Sequence, residues 1–240
     1  MEAIQDMLAE QFGDMVSFTC DKHGEYMSYE KVAVCSKCAD EDARQEELEK
    51  EQARRAAVMA SRWERCGMPS KFCGITIDEW IADQPKKQAV KDDALRFING
   101  DISRMLLIGN CGTGKTMLAA GIIGEMAKDS YPVYSTATRL IRSIRETWRT
   151  KESEQEAMDS FINCDVLVVD ELGAGRCTDD DKLILSEILC DRYAIDKPTL
   201  LISNMTGEQL KQTVLDERAV DRMREGGVVL TMNWESMRGK

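Results

Sequence analysis

The sequence predicts an α/β protein: a parallel sheet flanked by helices, preceded by a small N-terminal metal-binding module. Three observations carry that reading. Gly109-Asn110-Cys111-Gly112-Thr113-Gly114-Lys115-Thr116 lies between an apolar run, Met105-Leu106-Leu107-Ile108, and a helix-forming run that begins at Met117. A second apolar run, Val166-Leu167-Val168-Val169, ends in Asp170-Glu171. Near the N-terminus, Cys20 and His23 are followed by Cys35 and Cys38, and two residues separate the members of each pair.

Composition bounds the possibilities. The chain has 240 residues, 43% of them hydrophobic, enough for one sizeable domain and an appendage. No apolar run approaches the roughly 18–20 residues that span a bilayer, and the N-terminus lacks a signal-peptide stretch. A soluble, cytoplasmic protein with no membrane partner is expected. Nine cysteines, an odd count, point in that setting to thiols and metal rather than disulfides. The net charge of −11 means that no overall field draws nucleic acid, so any such contact needs a local basic patch.

Three segments are expected: a zinc module over 1–39, a linker helix over 40–66 and the α/β domain over 67–240. Ile4, Met7, Leu8 and Phe12 share one face of a short N-terminal helix. Cys20, His23, Cys35 and Cys38 have the spacing of paired zinc knuckles, and His23 is the chain's one histidine. Four closed ligands imply a structural Zn²⁺, and Tyr26, Tyr29, Val32 and Val34 suit a small hairpin between the pairs. With so little apolar material, the metal would supply much of the module's folding free energy. From Ala39 to about Arg65 there is no Gly or Pro, and Glu46/Lys50 and Glu51/Arg55 have helix-supporting spacing. We expect a long exposed helix acting as a spacer, turning apolar at Ala56, Ala57, Val58, Met59 and Trp63.

Gly67-Met68-Pro69 opens the second domain. Lys71 to Trp80 reads as irregular, Gln88 to Ile98 as a helix, and Met105 to Ile108 as a buried parallel strand. The loop that follows fits the phosphate-cradling pattern. Its glycines let the backbone wrap an anion, its N–H groups turn inward, and the next helix adds its positive end. The nucleotide-binding set is Gly109, Asn110, Cys111, Gly112, Thr113, Gly114, Lys115, Thr116 and Met117. Lys115 would reach the β/γ-phosphates, and Thr116 would ligate Mg²⁺.

Tyr131 to Ser135 reads as a strand and Thr138 to Thr150 as a helix. On a wheel of ~100° per residue, Leu140, Ile141, Ile144 and Trp148 share one face, and Arg139, Arg142, Arg145 and Arg149 share another. Four arginines on one ridge are a candidate track for single-stranded DNA. Val166 to Glu171 delivers Asp170 for Mg²⁺ and Glu171 to polarise a water. Lys182 to Tyr193 is an amphipathic helix, and Thr199 to Asn204 is a strand that brings Asn204 towards the γ-phosphate. Gly207 to Leu215 is helical, Arg218 and Arg222 lie one helical turn apart, and Val228 to Met232 is a last strand. Cys66, Cys73, Cys164, Cys177 and Cys190 read as small packing residues.

With these pieces assembled, the chain from about Gly67 onward resembles the DnaC-type helicase loaders within the AAA+ ATPases, an architecture shared by IstB-like transposition helpers. The resemblance rests on Gly109–Thr116, Val166–Glu171, Ser203-Asn204-Met205, Glu217-Arg218 through Arg224, and Asn233-Trp234-Glu235-Ser236. It implies that Lys115, Asp170, Glu171 and Asn204 serve ATP hydrolysis, with Arg222, or else Arg218, as a finger reaching a neighbouring subunit's nucleotide. It implies a hexameric replicative helicase of DnaB type gripped by the N-terminal module, single-stranded DNA on the basic helix, and self-association through the AAA+ domain. A zinc-knuckle front end resembles loaders encoded by phages and some bacteria. After Met232 there is no room for the usual AAA+ helical lid, so slow hydrolysis completed in trans is expected. Two rivals stand beside this reading: a transposition helper acting on duplex DNA, and a zinc-bearing adaptor in which nucleotide fixes shape without being hydrolysed.

Overall fold

The computed structural model of the chain describes residues 7, 8, 10–150 and 153–237. The chain divides into two compact units, Met1–Val58 and Met59–Lys240. No helix among the described residues is long and apolar enough to cross a membrane.

In the first unit, strands β1 (Met15–Cys20) and β2 (Gly24–Tyr29) pair antiparallel, from Met15 opposite Tyr29 to Cys20 opposite Gly24. The hairpin therefore precedes the position expected for it: the Cys20–His23 knuckle is its turn, closed by Gly24 at φ 75°. Val16, Phe18 and Cys20 turn to one face while Met15, Ser17 and Thr19 are exposed, the period-two pattern of a half-buried strand. Phe18 stacks on Tyr26 at 5.8 Å, and the Tyr26 hydroxyl donates to the Ala33 carbonyl. Among the described residues of this unit only Cys35 is buried, so there is little apolar core to hold it. Of the helix expected around Ile4, Met7, Leu8 and Phe12, Ile4 lies outside the described residues and Met7 is exposed. The first part of helix α1 (Ser36–Cys66) completes the unit. Its face is polar and laced by Glu46–Lys50 and Glu51–Arg55 pairs, as the spacing predicts.

The second unit is built on a five-stranded sheet in which every described pairing is parallel, in the order β4-β5-β6-β3-β7. Its strands are β3 (Arg104–Gly109), β4 (Pro132–Thr136), β5 (Val166–Leu172), β6 (Thr199–Ser203) and β7 (Gly227–Met232). Alternation divides the core between the two faces. Met105, Leu107, Val168, Leu200 and Ile202 pack with helix α2 (Pro85–Ile98), helix α3 (Lys115–Met126), Trp80 and the last turns of α1. Leu106, Leu167, Val169 and Leu201 pack with α4 (Ala137–Thr147), α5 (Glu154–Ile162), α6 (Asp179–Ala194), α7 (Gly207–Thr213) and α8 (Glu217–Arg224). Of the apolar stretch expected near the end of α1, Trp63 and Met59 join the core, whereas Val58 is exposed.

Helix α3 carries no polar face because it is covered on nearly all sides, with Leu118 to Ile123 buried. A Cβ at Gly121 would lie 2.9 Å from the Ile77 Cα, so this glycine lets α3 press against the 3-10 turn Ile77–Glu79. On the other face, Arg192 is fully buried and donates to the carbonyls of Phe161, Ile162, Cys164 and Pro198 and to Thr199. It thereby closes the C-terminal end of α5 with a charge of the sign that a helix C-terminus favours.

Two expectations fail here. Cys73 is exposed rather than a packing residue. Trp148 is exposed rather than on the apolar face of α4, because the helix ends at Thr147 and the chain departs from the wheel there. Thr147 takes the buried position instead.

Candidate nucleotide and metal sites

Because the strands are parallel, their C-terminal ends meet at one edge of the sheet, and the residues expected to hold nucleotide gather there. Gly109 ends β3 opposite Met232 of β7, Ile108 is level with Ser203 of β6, and Thr136 of β4 is level with Asp170 of β5. The loop then turns through Gly112 at φ 81° and Gly114 at φ 91° into α3. A Cβ at Gly109 would collide with the Met232 carbonyl, which excludes other residues on steric grounds, while one at Gly112 would press on the Ser236 hydroxyl at a φ that favours glycine. Thr113 is buried and its hydroxyl donates to the Asn110 carbonyl; Cys111 is exposed at the loop's outer turn.

Lys115 is buried, and its Nζ donates to the carbonyls of Gly109 and Asn110, both at 2.8 Å. The ammonium is thus held over the mouth of the loop. Thr116, one residue on, reaches across the sheet to donate to Asp170 Oδ2 at 2.8 Å. Tyr134 on β4 donates its phenol to the same oxygen at 2.9 Å, and the Glu171 N–H donates to Oδ1 at 2.6 Å. Burial, then the Asp170 carboxylate beside it, pushes the Tyr134 phenol well above its ordinary range, so it stays a donor. The buried carboxylate is therefore fixed in orientation beside Thr116, with both groups being oxygen donors of the kind Mg²⁺ takes.

Glu171 is exposed and sits at φ 57°, a left-handed conformation rare for a non-glycine residue. It marks a register break in the β5–β6 pairing between Val169 and Leu172. The break turns the Glu171 side chain out of the sheet at the edge where the loop lies. Asn204, also exposed, follows directly on Ser203 between β3 and β5.

A family model described as IstB-like ATP binding protein matches residues 27–240. The chain belongs to that family. The replicative helicase loader DnaC of Escherichia coli K12 is 27% identical over 196 residues, covering 79% of this chain and 80% of the relative. A crystal structure of DnaI superposes with a TM-score of 0.60 at 23% identity, covering 72% of this chain and 95% of the other. A crystal structure of the DnaC helicase loader gives 0.61 at 18%, covering 68% and 99%. The fold is the AAA+ α/β fold of those structures, as the glycine loop and the strand ending in Asp170-Glu171 lead one to expect.

Three contacts on the family's loop were not read from the sequence, although Trp234 belongs to a stretch that carries the resemblance. Trp80 Nε1 donates to the Gly114 carbonyl at 3.2 Å, and Trp234 Nε1 to the Thr113 carbonyl at 3.0 Å. The Met237 N–H donates to the Gly112 carbonyl at 2.8 Å.

Arg218 and Arg222 lie on α8. Arg222 rests 4.4 Å over the Tyr193 ring and 3.8 Å from Glu225, whereas Arg218 is paired with Asp216 at 3.3 Å. The Arg218 side chain is 74% exposed against 43% for Arg222, so Arg218 is the more available to a neighbour. The arginine ridge expected on α4 is divided, and Arg149 lies beyond the helix end at Thr147. Arg139 donates to the Gly67 carbonyl, and Arg145 binds Asp181 and Thr178 at the start of α6. Arg142 and Arg149 are exposed and, with Arg176 and Trp148, line a groove of about 570 Å³.

In the first unit, the Sγ atoms of Cys20, Cys35 and Cys38 and Nδ1 of His23 all lie within 4.8 Å of one another. The contacts among them run from 3.4 to 3.8 Å. For Zn–S bonds of about 2.3 Å and Zn–N bonds of about 2.0 Å, tetrahedral geometry puts ligand atoms roughly 3.5–3.8 Å apart, so the set fits zinc. The Lys22 and His23 backbone N–H groups favour the Cys20 thiolate and bring its pKa down to about 6. Hydrogen bonding to Cys20, with that sulfur's charge beside it, pushes Cys38 up to about 12. Three sulfurs this close cannot all ionise unless a cation lies among them. His23 Nε2 bonds Glu41 at 3.1 Å, which leaves Nδ1 for the metal. Glu41 is a residue that ligand spacing alone cannot reveal.

Proposed function

We propose that this protein is an ATP-driven loader that places a hexameric replicative helicase of DnaB type on single-stranded DNA in the bacterial cytoplasm, encoded by a host or a phage. The observation that supports it most is the Thr116–Asp170 contact beside Lys115, a triphosphate and metal site in a chain related to DnaC loaders.

In this reading the loop N–H groups and Lys115 bind the phosphates of ATP, and Thr116 and Asp170 hold Mg²⁺. The ion would spread the charge developing on the β- and γ-oxygens. Glu171 accepts a proton from the attacking water, and Asn204 orients that water or contacts the γ-phosphate. The water oxygen bonds to the γ-phosphorus as the β–γ bridging bond breaks, leaving ADP and phosphate. Arg218 or Arg222 completes the pocket of a neighbouring copy, so a single copy hydrolyses slowly. The Cys₃His module binds structural Zn²⁺ and docks on the helicase, and Arg142 and Arg149, with Arg139 and Arg145 behind them, face the DNA strand.

The test is transfer of helicase to circular single-stranded DNA. With ATP and this protein, the helicase should become DNA-bound and processive; with the Lys115→Ala variant it should not. The family description favours a second reading, a transposition helper. Stable co-purification with a transposase, and none with the helicase, would select it.

A further inference from the structure

The phosphate loop is bound from its outer side at three successive carbonyls, by groups drawn from both ends of the α/β unit. Gly112 accepts from the Met237 N–H, Thr113 from Trp234 Nε1, and Gly114 from Trp80 Nε1 as well as from the Leu118 N–H of α3. Trp80 precedes α2 and Trp234 follows β7, and the two rings meet edge-on at 6.0 Å. Trp80 is fully buried, while Trp234 is half-buried with the Lys87 ammonium 5.7 Å above its ring. The packing is close enough that a Cβ at Gly114 would lie 3.0 Å from Trp80 Nε1.

Peptide geometry gives these bonds a consequence. In a planar trans peptide, the carbonyl of one residue and the N–H of the next point in opposite directions. Holding the carbonyls of Gly112, Thr113 and Gly114 outward therefore turns the N–H groups of Thr113, Gly114 and Lys115 inward. Those N–H groups form the concavity that receives an anion. An unbracketed glycine loop samples many backbone states and must be ordered by the ligand, at a cost in affinity.

We infer that Trp80, Trp234 and the Met237 N–H form an outer bracket that pre-sets the phosphate loop for nucleotide. The three are positioning groups: they touch the loop's outer carbonyls, and the loop touches the phosphates. The inference rests on the reading of this loop as the nucleotide site, and it adds that the segment after β7 controls the loop's shape.

Trp234→Phe and Trp80→Phe keep an aromatic ring and remove the N–H, and Met237→Pro removes the third donor while leaving both indoles. Backbone amide exchange at 113–115 in the nucleotide-free protein reads the bracket directly, with sheet amides as the internal reference. Affinities for ATP and for inorganic tripolyphosphate read its effect on binding. Each variant should speed exchange at 113–115 alone and weaken both ligands by the same factor, about 5- to 10-fold for one hydrogen bond. A residue that merely shaped a purine pocket would weaken ATP and leave tripolyphosphate unchanged, which would overturn the inference, as would exchange equal to wild type. If Trp80→Phe fails to fold, Trp234→Phe and Met237→Pro still decide. Failure of the unaltered protein to bind either ligand sinks the nucleotide reading, while the exchange result continues to judge the bracket.

Discussion

Tyr134 and Thr116 converge on one oxygen: both hydroxyls donate to Asp170 Oδ2, at 2.9 and 2.8 Å. Removing the phenol leaves the carboxylate one donor short on that oxygen and freer to turn. Tyr134→Phe should weaken Mg²⁺-dependent ATP binding by about 10- to 100-fold, the worth of one hydrogen bond to a charged acceptor. Binding measured in EDTA should be unchanged. Titrations with and without Mg²⁺ check this, and equal loss in both would assign Tyr134 to packing alone.

The first unit has one buried residue among those described, so its fold should depend on metal. Chelation should unfold the hairpin and knuckle while the second unit keeps its nucleotide affinity and melting transition. Glu41→Ala, which frees His23 Nε2, should lower zinc affinity by about 10- to 100-fold, as loss of a ligand's hydrogen-bond partner does. Acid should act in the same direction, because protons compete for the thiolates and the imidazole. Metal analysis and circular dichroism during chelator titration report both.

The two arginines of α8 give a complementation test. The Arg218→Ala/Arg222→Ala double variant should fall by about 10³-fold in ATP turnover, the lower end for an arginine finger. Its own phosphate loop is intact, so mixing it with a Lys115→Ala variant, which keeps its arginines, should restore part of the turnover. No recovery on mixing would place the arginines outside a shared site.

The division of the arginine ridge predicts unequal effects. Arg142→Glu with Arg149→Glu should weaken single-stranded DNA binding and lower its logarithmic salt slope by about 1.4, for two phosphate contacts. Arg145→Ala should instead destabilise the fold by about 1–3 kcal/mol, because the buried Asp181 loses its ion-pair partner and keeps only the bonds from Thr178. Fluorescence anisotropy across a salt series and denaturant melts separate the two effects.

What the sequence made legible was local. The glycine loop, the Asp170-Glu171 strand end and the Cys/His pairs are spacings within a few residues, and the chemistry of each needs that spacing. Tyr134 and Trp80 act across 36 and 34 residues and Trp234 across 121, so no window of sequence relates them to the site. Helix α5 passed unread because it is a short, mostly polar run whose far end is closed by Arg192, some thirty residues on. Strand β1 passed unread because its six residues, Met15–Cys20, are half-buried against one partner strand only and run straight into the Cys20 knuckle. A helical wheel groups Arg139, Arg142, Arg145 and Arg149, but it cannot show that α4 ends at Thr147, before Arg149, or that Arg139 and Arg145 are held by Gly67 and Asp181.

The central claim is that this edge of the sheet turns over ATP, with Glu171 as the group that activates water. ATP retention and turnover by Glu171→Gln measure it most directly. The account predicts that the variant binds ATP at least as tightly as wild type while turnover falls by about 10²-fold or more, the scale of a lost general base. Turnover equal to wild type would contradict it.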